Sequence, residues 1–400
     1  MNVDGDYDVV IIGGGPAGCA AAIALRRHRP SLRVGIIEKQ ATAGRPLHIG
    51  ETLPPASVGL LRQLDLWSGF QQQGFRPAHG TRCCWGSSAA QGNDYLFQAL
   101  GQGWHLDRRR FDRWLFEEAR ERGVDDLAPY TLSSPPVYHE GAGGHWRIRL
   151  PDNDRQTIRA GFLIDASGRS AVLARQLGAK RRAHDRLVAY YAYLPATASI
   201  DTATWVEAVE AGWWYSAPLP DGRIIVALMS DSDIGRRGRF NRVRSWRARL
   251  AASDRTRRRV ADTADEPAIQ VAAAHSQSLD KCVGRRWLAV ADAACCFDPL
   301  SSLGLFKALR NGLLAAYAVG DVFGDVLNNP RPGRRPELHP GLRKYQALIR
   351  AEFSHYQQTR SAYYGLERRF GHHPFWQRRI EPAIQPLAPA SFIISRENRP

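Results

Sequence analysis

Apolar residues fall into two rhythms along this chain, short β-branched runs and longer stretches with helical spacing. Asp8 to Ile12 is the first β-branched run and predicts a buried strand, and the alanine-rich stretch Ala17 to Arg27 predicts the helix after it. Further strands are predicted over Arg33 to Ile37, Phe162 to Asp165 and Trp287 to Val290, with a helix from about Leu305. A second group, including Leu187 to Leu194 and Ile224 to Met229, predicts a separate β-rich lobe. Beyond the Pro/Arg-rich break at Asn328 to Pro340, Tyr345, Ile349, Phe353, Tyr356 and Tyr363 recur at multiples of three to four residues. That stripe predicts a last helix packed onto the first lobe.

The link between the first strand and its helix changes the picture from fold to chemistry. Gly13, Gly15 and Gly18 form G-x-G-x-x-G where strand gives way to helix. Gly13 permits the tight turn, Gly15 lets the backbone approach a pyrophosphate, and Gly18 lets helix and strand pack closely. The helix N-terminus, entered through Pro16 and Ala17, offers N–H donors and a partial positive charge to the phosphates. Glu38, with Lys39 beside it, ends the second strand about 20 residues past Gly18, where an acid can bind ribose hydroxyls.

Two later segments favour FAD over NAD. Asp165 to Ser170 is a turn of small residues, and Asp292 ends a strand at the edge where open α/β sheets bind ligands. The run Asp298-Pro299-Leu300 to Leu305 then opens a helix, and its first amides, Gly304 and Leu305, are candidates for the flavin carbonyl and the anion of reduced flavin.

Composition bounds this without redirecting it. At 400 residues, 44% hydrophobic and 24% charged, the chain suits a globular protein of two or more lobes. No apolar run reaches the roughly 18 residues of a membrane span, and the acidic start gives no sign of a secretory signal. The six cysteines include two adjacent pairs and suggest neither a disulfide framework nor a metal site, so a reducing cytoplasm is expected. The net charge of +16 comes with scattered arginine clusters at 108–110, 236–237, 257–259 and 378–379 and with no nucleic-acid motif. They read as a solvated surface, or as attraction for an acidic protein.

The glycine loop, the small-residue turn and the Asp292 segment together resemble the FAD-dependent monooxygenase fold of aromatic hydroxylases, flavin-dependent halogenases and geranylgeranyl-reductase-like proteins. The resemblance covers nearly the whole chain. It implies an α/β protein with a Rossmann-like FAD-binding domain of the aromatic-hydroxylase type, a β-rich substrate domain and a helical C-terminal segment. The FAD-binding domain is expected from 1–75, 100–180 and 280–335, the substrate domain from 76–99 and 181–279, and the helical segment from 336–400. Asp292 would bind the ribityl chain, although Ala291 stands where the family usually has glycine.

Three stretches, Arg45 to Pro55, Gly103 to Leu115 and Gly212 to Arg223, narrow the resemblance to the halogenase-like branch. Within it they are most similar to flavoproteins that hydroxylate a tryptophan residue in precursors of tryptophylquinone amine dehydrogenases and oxidases. This implies that Arg45, Glu51 and Arg108 lie close to FAD. Trp213, Trp214 and Tyr215 would line the substrate cavity, with strand alternation sending only one of the two tryptophans inward. No metal, membrane or nucleic acid is implied.

Tryptophan halogenases carry a W-x-W-x-I-P stretch and a lysine after the "GE" segment. Here the corresponding piece runs Trp213, Trp214, Tyr215, Ser216, Ala217, Pro218, and no lysine occurs between Glu51 and Gly103. His79 stands in the nearest register, and Ser301 stands where those enzymes have a glutamate. Hydroxylation is therefore the expected outcome: O2 and reduced flavin give a C4a-hydroperoxide that attacks an electron-rich ring. His79 is the expected acid–base residue, ahead of His105, because imidazole titrates near neutral pH. The substrate is expected to be an indole, and in its specific form a tryptophan in an acidic peptide or protein. NAD(P)H would supply electrons directly or through a separate flavin reductase, since the chain has no second G-x-G-x-x-G. A halogenase, a double-bond reductase and a flavin-binding partner without activity are the competing readings.

Overall fold

Strand Gly5–Ile12 lies at the centre of the first sheet of the computed structural model because Val9, Val10 and Ile11 are buried on both faces. The structure describes residues 5–39, 52–95, 101–127, 131–132, 134–140, 144–150, 157–198, 201–263, 266–328 and 338–380, with 325–328 by backbone only. The central strand pairs in parallel with Val34–Ile37 on one side and Thr157–Asp165 on the other, and Trp287–Ala289 adds a further parallel strand. Asp125–Asp126 lies outside Val34–Ile37. Helix Pro16–His28 covers this sheet and packs on the long helix Gly304–Asn328. Their approach is close because small residues meet: a Cβ at Gly312 would stand 2.7 Å from Ala17 O and from the Ala20 Cβ.

The second lobe is a seven-stranded sheet in the order 270–273, 187–195, 223–231, 212–218, 204–209, 80–84, 91–94. All neighbours are antiparallel except Thr204–Val209 with Gly80–Cys84. Both faces are covered, so its central strands are apolar throughout rather than alternating with polar residues. One face carries Tyr191, Trp213, Tyr215 and Met229 beneath Trp85, Tyr364, Phe375 and Trp376. The other carries Tyr190, Trp214 and Leu228 beneath Phe240, Trp246 and Leu250.

The C-terminal helix Pro340–Leu366 joins the two lobes. Leu342, Tyr345, Ile349, Phe353 and Tyr356 bury into the first-lobe core, as the stripe predicts. The stripe does not continue to Tyr363, which is 46% exposed; Tyr364 is the buried residue. By that point the helix has left the first lobe and its inward face is set by the second sheet instead. Residues 371–380, a mix of aromatics and arginines, are folded in. Phe375 and Trp376 are fully buried, and Arg379 is buried with both guanidinium nitrogens NH1 and NH2 on Asp231. Among the described residues no helix is long and apolar enough to cross a membrane.

Candidate functional site

The glycine loop has the shape its spacing requires. Gly13 has φ +111°, and a Cβ there would lie 2.5 Å from Ala166 O, while a Cβ on Gly18 would lie 2.0 Å from Gly13 O. Both positions exclude any side chain. A Cβ on Gly15 would meet nothing within 4 Å, and this residue stands at the N-terminus of helix Pro16–His28 with no side chain capping it. The open space and uncapped N–H groups fit a phosphate. Glu38 Oε2 accepts the Gly14 N–H at 2.7 Å, which fixes the carboxylate beside the loop, while Lys39 is exposed.

Asp165 organises the neighbouring turn. Its Oδ1 accepts Ser167 N–H at 3.0 Å and Ser167 O–H at 2.5 Å, and its Oδ2 accepts Ala174 N–H at 2.7 Å. Burial raises its pKa against these hydrogen bonds.

Asp292 occupies a short turn, Ala291–Ala293, entered through Ala291 at φ +51°. The lysine Lys307, only 1% exposed, reaches it from the first turn of the long helix: Nζ lies 2.7 Å from Asp292 Oδ1 and 2.6 Å from Cys295 O. The ammonium also sits 4.1 Å from the Phe297 ring centroid. Burial alone would lower the Lys307 pKa, but the Asp292 carboxylate and the neighbouring thiols raise it. Burial would likewise raise that of half-exposed Asp292, and Lys307 outweighs it and keeps the carboxyl below its usual range. A charged, oriented carboxylate is what binding of ribityl hydroxyls needs.

Asp298 caps the next turn, Pro299–Ser301, by accepting Leu300 N–H at 3.0 Å. Its Oδ2 accepts Tyr364 O–H at 2.8 Å and Arg360 Nε–H at 3.3 Å, and its own N–H donates to Tyr356 Oη at 2.7 Å. Three residues of the C-terminal helix thus hold the loop that precedes Gly304. The Gly304 and Leu305 N–H groups come before the helix's Lys307 N–H to Leu303 O bond, and a Cβ on Gly304 would meet nothing within 4 Å. This second open helix start suits the flavin ring system, so the residues present fit FAD at both ends.

The other expected residues are distributed less simply. His79 is exposed, with Nδ1 2.8 Å from Thr202 Oγ1. His105 meets the same residue from inside: its Nε2 is 2.7 Å from Thr202 O, and its fully buried Nδ1 has no hydrogen-bond partner among the described residues. Burial drives the His105 pKa down to about 4, so the ring is neutral at physiological pH. Arg108 holds Asp112 in a bidentate pair at 3.1 and 3.2 Å, one turn along helix Arg108–Glu121. Arg45 and Glu51 lie outside the described residues.

The tryptophan pair separates as alternation requires. Trp213 shares its face with Tyr215 and donates its indole N–H to Tyr364 Oη at 3.0 Å. Trp214 does not face the first lobe at all: it lies on the opposite face, packed edge-on against Trp246 at 5.2 Å. Trp214 is therefore core, not a lining residue. Lys307 and the Asp298–Tyr364 contact are site features that the motifs leave unread. A signal existed for the first, since Lys307, Arg310 and Asn311 interrupt an otherwise apolar stretch three to four residues apart.

A two-lobed α/β protein with a G-x-G-x-x-G helix start, a charged and oriented aspartate at a strand end and a second open helix start has the fold and site of a flavoprotein. Residues 6–305 match the family model described as FAD binding domain, and the chain belongs to that family as an FAD-dependent oxidoreductase of the halogenase/hydroxylase kind. It is 31% identical over 384 residues to the FAD-dependent oxidoreductase LodB of Marinomonas mediterranea, covering 93% of this chain and 96% of LodB. It is 25% identical to a tryptophan 2-halogenase of Chondromyces crocatus, across 93% of this chain and 72% of that enzyme. Among solved structures, the peptidyl tryptophan dihydroxylase QhpG, essential for tryptophylquinone cofactor biogenesis, superposes with a TM-score of 0.72 at 26% identity, covering 96% of this chain and 81% of QhpG. The flavin-dependent halogenase CmlS superposes at 0.79 with 22% identity, covering 95% and 68%, which is a likeness of fold.

Proposed function

We propose that this protein is an FAD-dependent monooxygenase that hydroxylates an electron-rich aromatic ring, an indole in general and a tryptophan residue of a peptide or protein in particular. The single observation that carries hydroxylation over halogenation is the lack of any lysine between Glu51 and Gly103, where tryptophan halogenases need one. The likeness to the peptidyl tryptophan dihydroxylase supports the tryptophan-directed form and a place in quinone cofactor biogenesis.

In this reading Gly13, Gly15 and Gly18 with the helix start hold the pyrophosphate, Glu38 the ribose, Asp292 the ribityl chain, and Gly304 and Leu305 the flavin ring. Lys307 keeps Asp292 charged and fixed. The flavin, when bound, supplies the oxygen chemistry, with O2 as co-substrate and two electrons from NAD(P)H, directly or through a separate reductase. A ring C–H becomes C–OH, and the second oxygen atom leaves as water. Trp213 and Tyr215 would form one wall of the substrate space, in the buried cluster against which Leu300 of the flavin loop packs. Exposed His79, held by Thr202, carries the ring proton to solvent.

The several similar halogenases keep halogenation as the second reading. One experiment separates the two: mass spectrometry of products from FAD-loaded protein with NAD(P)H, a flavin reductase, O2 and bromide, offered indole, tryptophan, phenols and tryptophan-containing acidic peptides. A gain of one or two oxygen atoms on the ring is expected. A halogen isotope pattern overturns the proposal.

A further inference from the structure

Positive charge is concentrated in one stretch of the chain. Residues 236–259 contain eleven arginines and one acidic residue, Asp254, so they carry a surplus of ten of the chain's sixteen net positive charges. Two of the clusters that look scattered in sequence, 236–237 and 257–259, meet here on one surface. Helices Ser232–Arg237 and Val243–Ala251 and the turn Arg257–Arg259 run across the outer face of the seven-stranded sheet. They are anchored by Phe240, Trp246 and Leu250 against Tyr190, Trp214 and Leu228. With the apolar side on the sheet, most of the arginines are left facing water, while Arg259 is buried on Ser216 and Ala203.

Arg236, Arg239, Arg242, Arg244 and Arg257 are exposed, and their side chains make no hydrogen bond or ion pair among the described residues. Three of the carboxylates nearby are already engaged, while exposed Glu210 faces Arg249. Asp254 holds Arg255 and Arg258, Asp233 holds Arg237 and Arg378, and Glu207 accepts the N–H groups of Asp254, Arg255 and Thr256. Clustered like charges raise the energy of the unliganded protein and fall to a lower one when a counter-charge arrives.

We propose that this face docks an acidic polypeptide segment, the carrier of the aromatic residue to be oxidised; the identity of that partner rests on the proposed function, the surface does not. Every basic residue in 236–259 is arginine, whose planar fork matches a carboxylate through two parallel hydrogen bonds. A membrane fits poorly, because no large apolar side chain is exposed in this stretch. A single-stranded nucleic acid fits poorly too, because both aromatic rings, Phe240 and Trp246, are buried and unavailable for stacking. The face also leads somewhere. Asp233 is shared between Arg237 on the basic face and Arg378 on the rim of a cavity of about 620 Å³ lined by Arg186, Arg360, Arg378, Arg379, Asp185 and Asp231. Arg360, with Tyr364 on the same cavity wall, holds Asp298 in the flavin loop.

The test is fluorescence anisotropy of a labelled peptide, alternating glutamate and glycine around one tryptophan, against the FAD-loaded protein. A peptide with glutamine for glutamate is the reference. The face variant is R236Q/R239Q/R242Q/R244Q/R257Q; the matched variant, R27Q/R113Q/R120Q/R343Q/R368Q, removes the same charge from exposed arginines elsewhere. Tenfold or more weakening is expected in the face variant, and less than about twofold in the matched one, with FAD content equal in both. Equal losses in the two variants, or none in the first, overturn the proposal. So does a short DNA duplex or a phosphatidylserine vesicle that displaces the peptide from the wild type at matched charge. Failure to oxidise any ring would sink the proposed activity while leaving this binding result readable.

Discussion

Gly15 and Gly18 sit three residues apart and answer to different demands. Gly18 is closed by its own chain, with Gly13 O at 2.0 Å from where a Cβ would stand, whereas Gly15 faces open space with a φ of −77° that any residue adopts. Gly18→Ala is therefore expected to cost about 3 kcal/mol or more with or without flavin. Gly15→Ala should change the stability of the flavin-free protein by less than about 1 kcal/mol and yet weaken FAD binding, since its methyl enters the space left for a phosphate. Urea unfolding of apo- and holoprotein separates the two; an equal loss in both apo variants would remove Gly15 from the cofactor site. Such residues are legible because the turn, the helix start and their glycines all lie within six positions. Lys307 is not, because its meaning depends on a carboxylate fifteen residues earlier that only the folded turn at Ala291 brings to 2.7 Å.

Among the elements, the C-terminal helix has the widest reach. Through Tyr364 it joins Trp213 in the second sheet to Asp298 in the flavin loop, at 3.0 and 2.8 Å. Tyr364→Phe leaves the buried Trp213 indole N–H without its partner and leaves Asp298 Oδ2 with Arg360 alone, an expected loss of about 1 to 3 kcal/mol in urea unfolding. An unchanged midpoint would mean that this contact does not couple the lobes. The parallel strands flanking the glycine loop, the strands 187–195 and 223–231, the first helix and the long helix are visible from β-branched runs and apolar spacing. Edge strands such as Gly80–Cys84 and Gln91–Asp94, with few apolar residues, are not. The end of the C-terminal helix is not either, because periodicity assumes one partner along its length and this helix changes partner between Tyr356 and Tyr364. The same limit applies to Phe375 and Trp376, whose burial depends on a sheet more than 140 residues away in sequence.

For the whole molecule, pH acts through His105. An unfolded histidine titrates near 6.5, and this one near 4, so between those values the unfolded chain binds the extra proton. Its contribution, about 3 kcal/mol, is complete above pH 6.5 and is lost as pH falls toward 4. The denaturation midpoint of the wild type is expected to fall more steeply over that window than that of His105→Gln; parallel curves would show that the ring is not held neutral. Finally, the first sheet is built from strands that are distant in the chain: Gly5–Ile12 waits for Thr157–Asp165, and Trp287–Ala289 and the Asp292 to Leu305 stretch come later still. A ribosome releases the glycine loop long before the residues that complete the cofactor's surroundings. FAD therefore finds its full site only after the stretch through Leu305 has been made, so the glycine loop emerges as an open half-site that later segments must close.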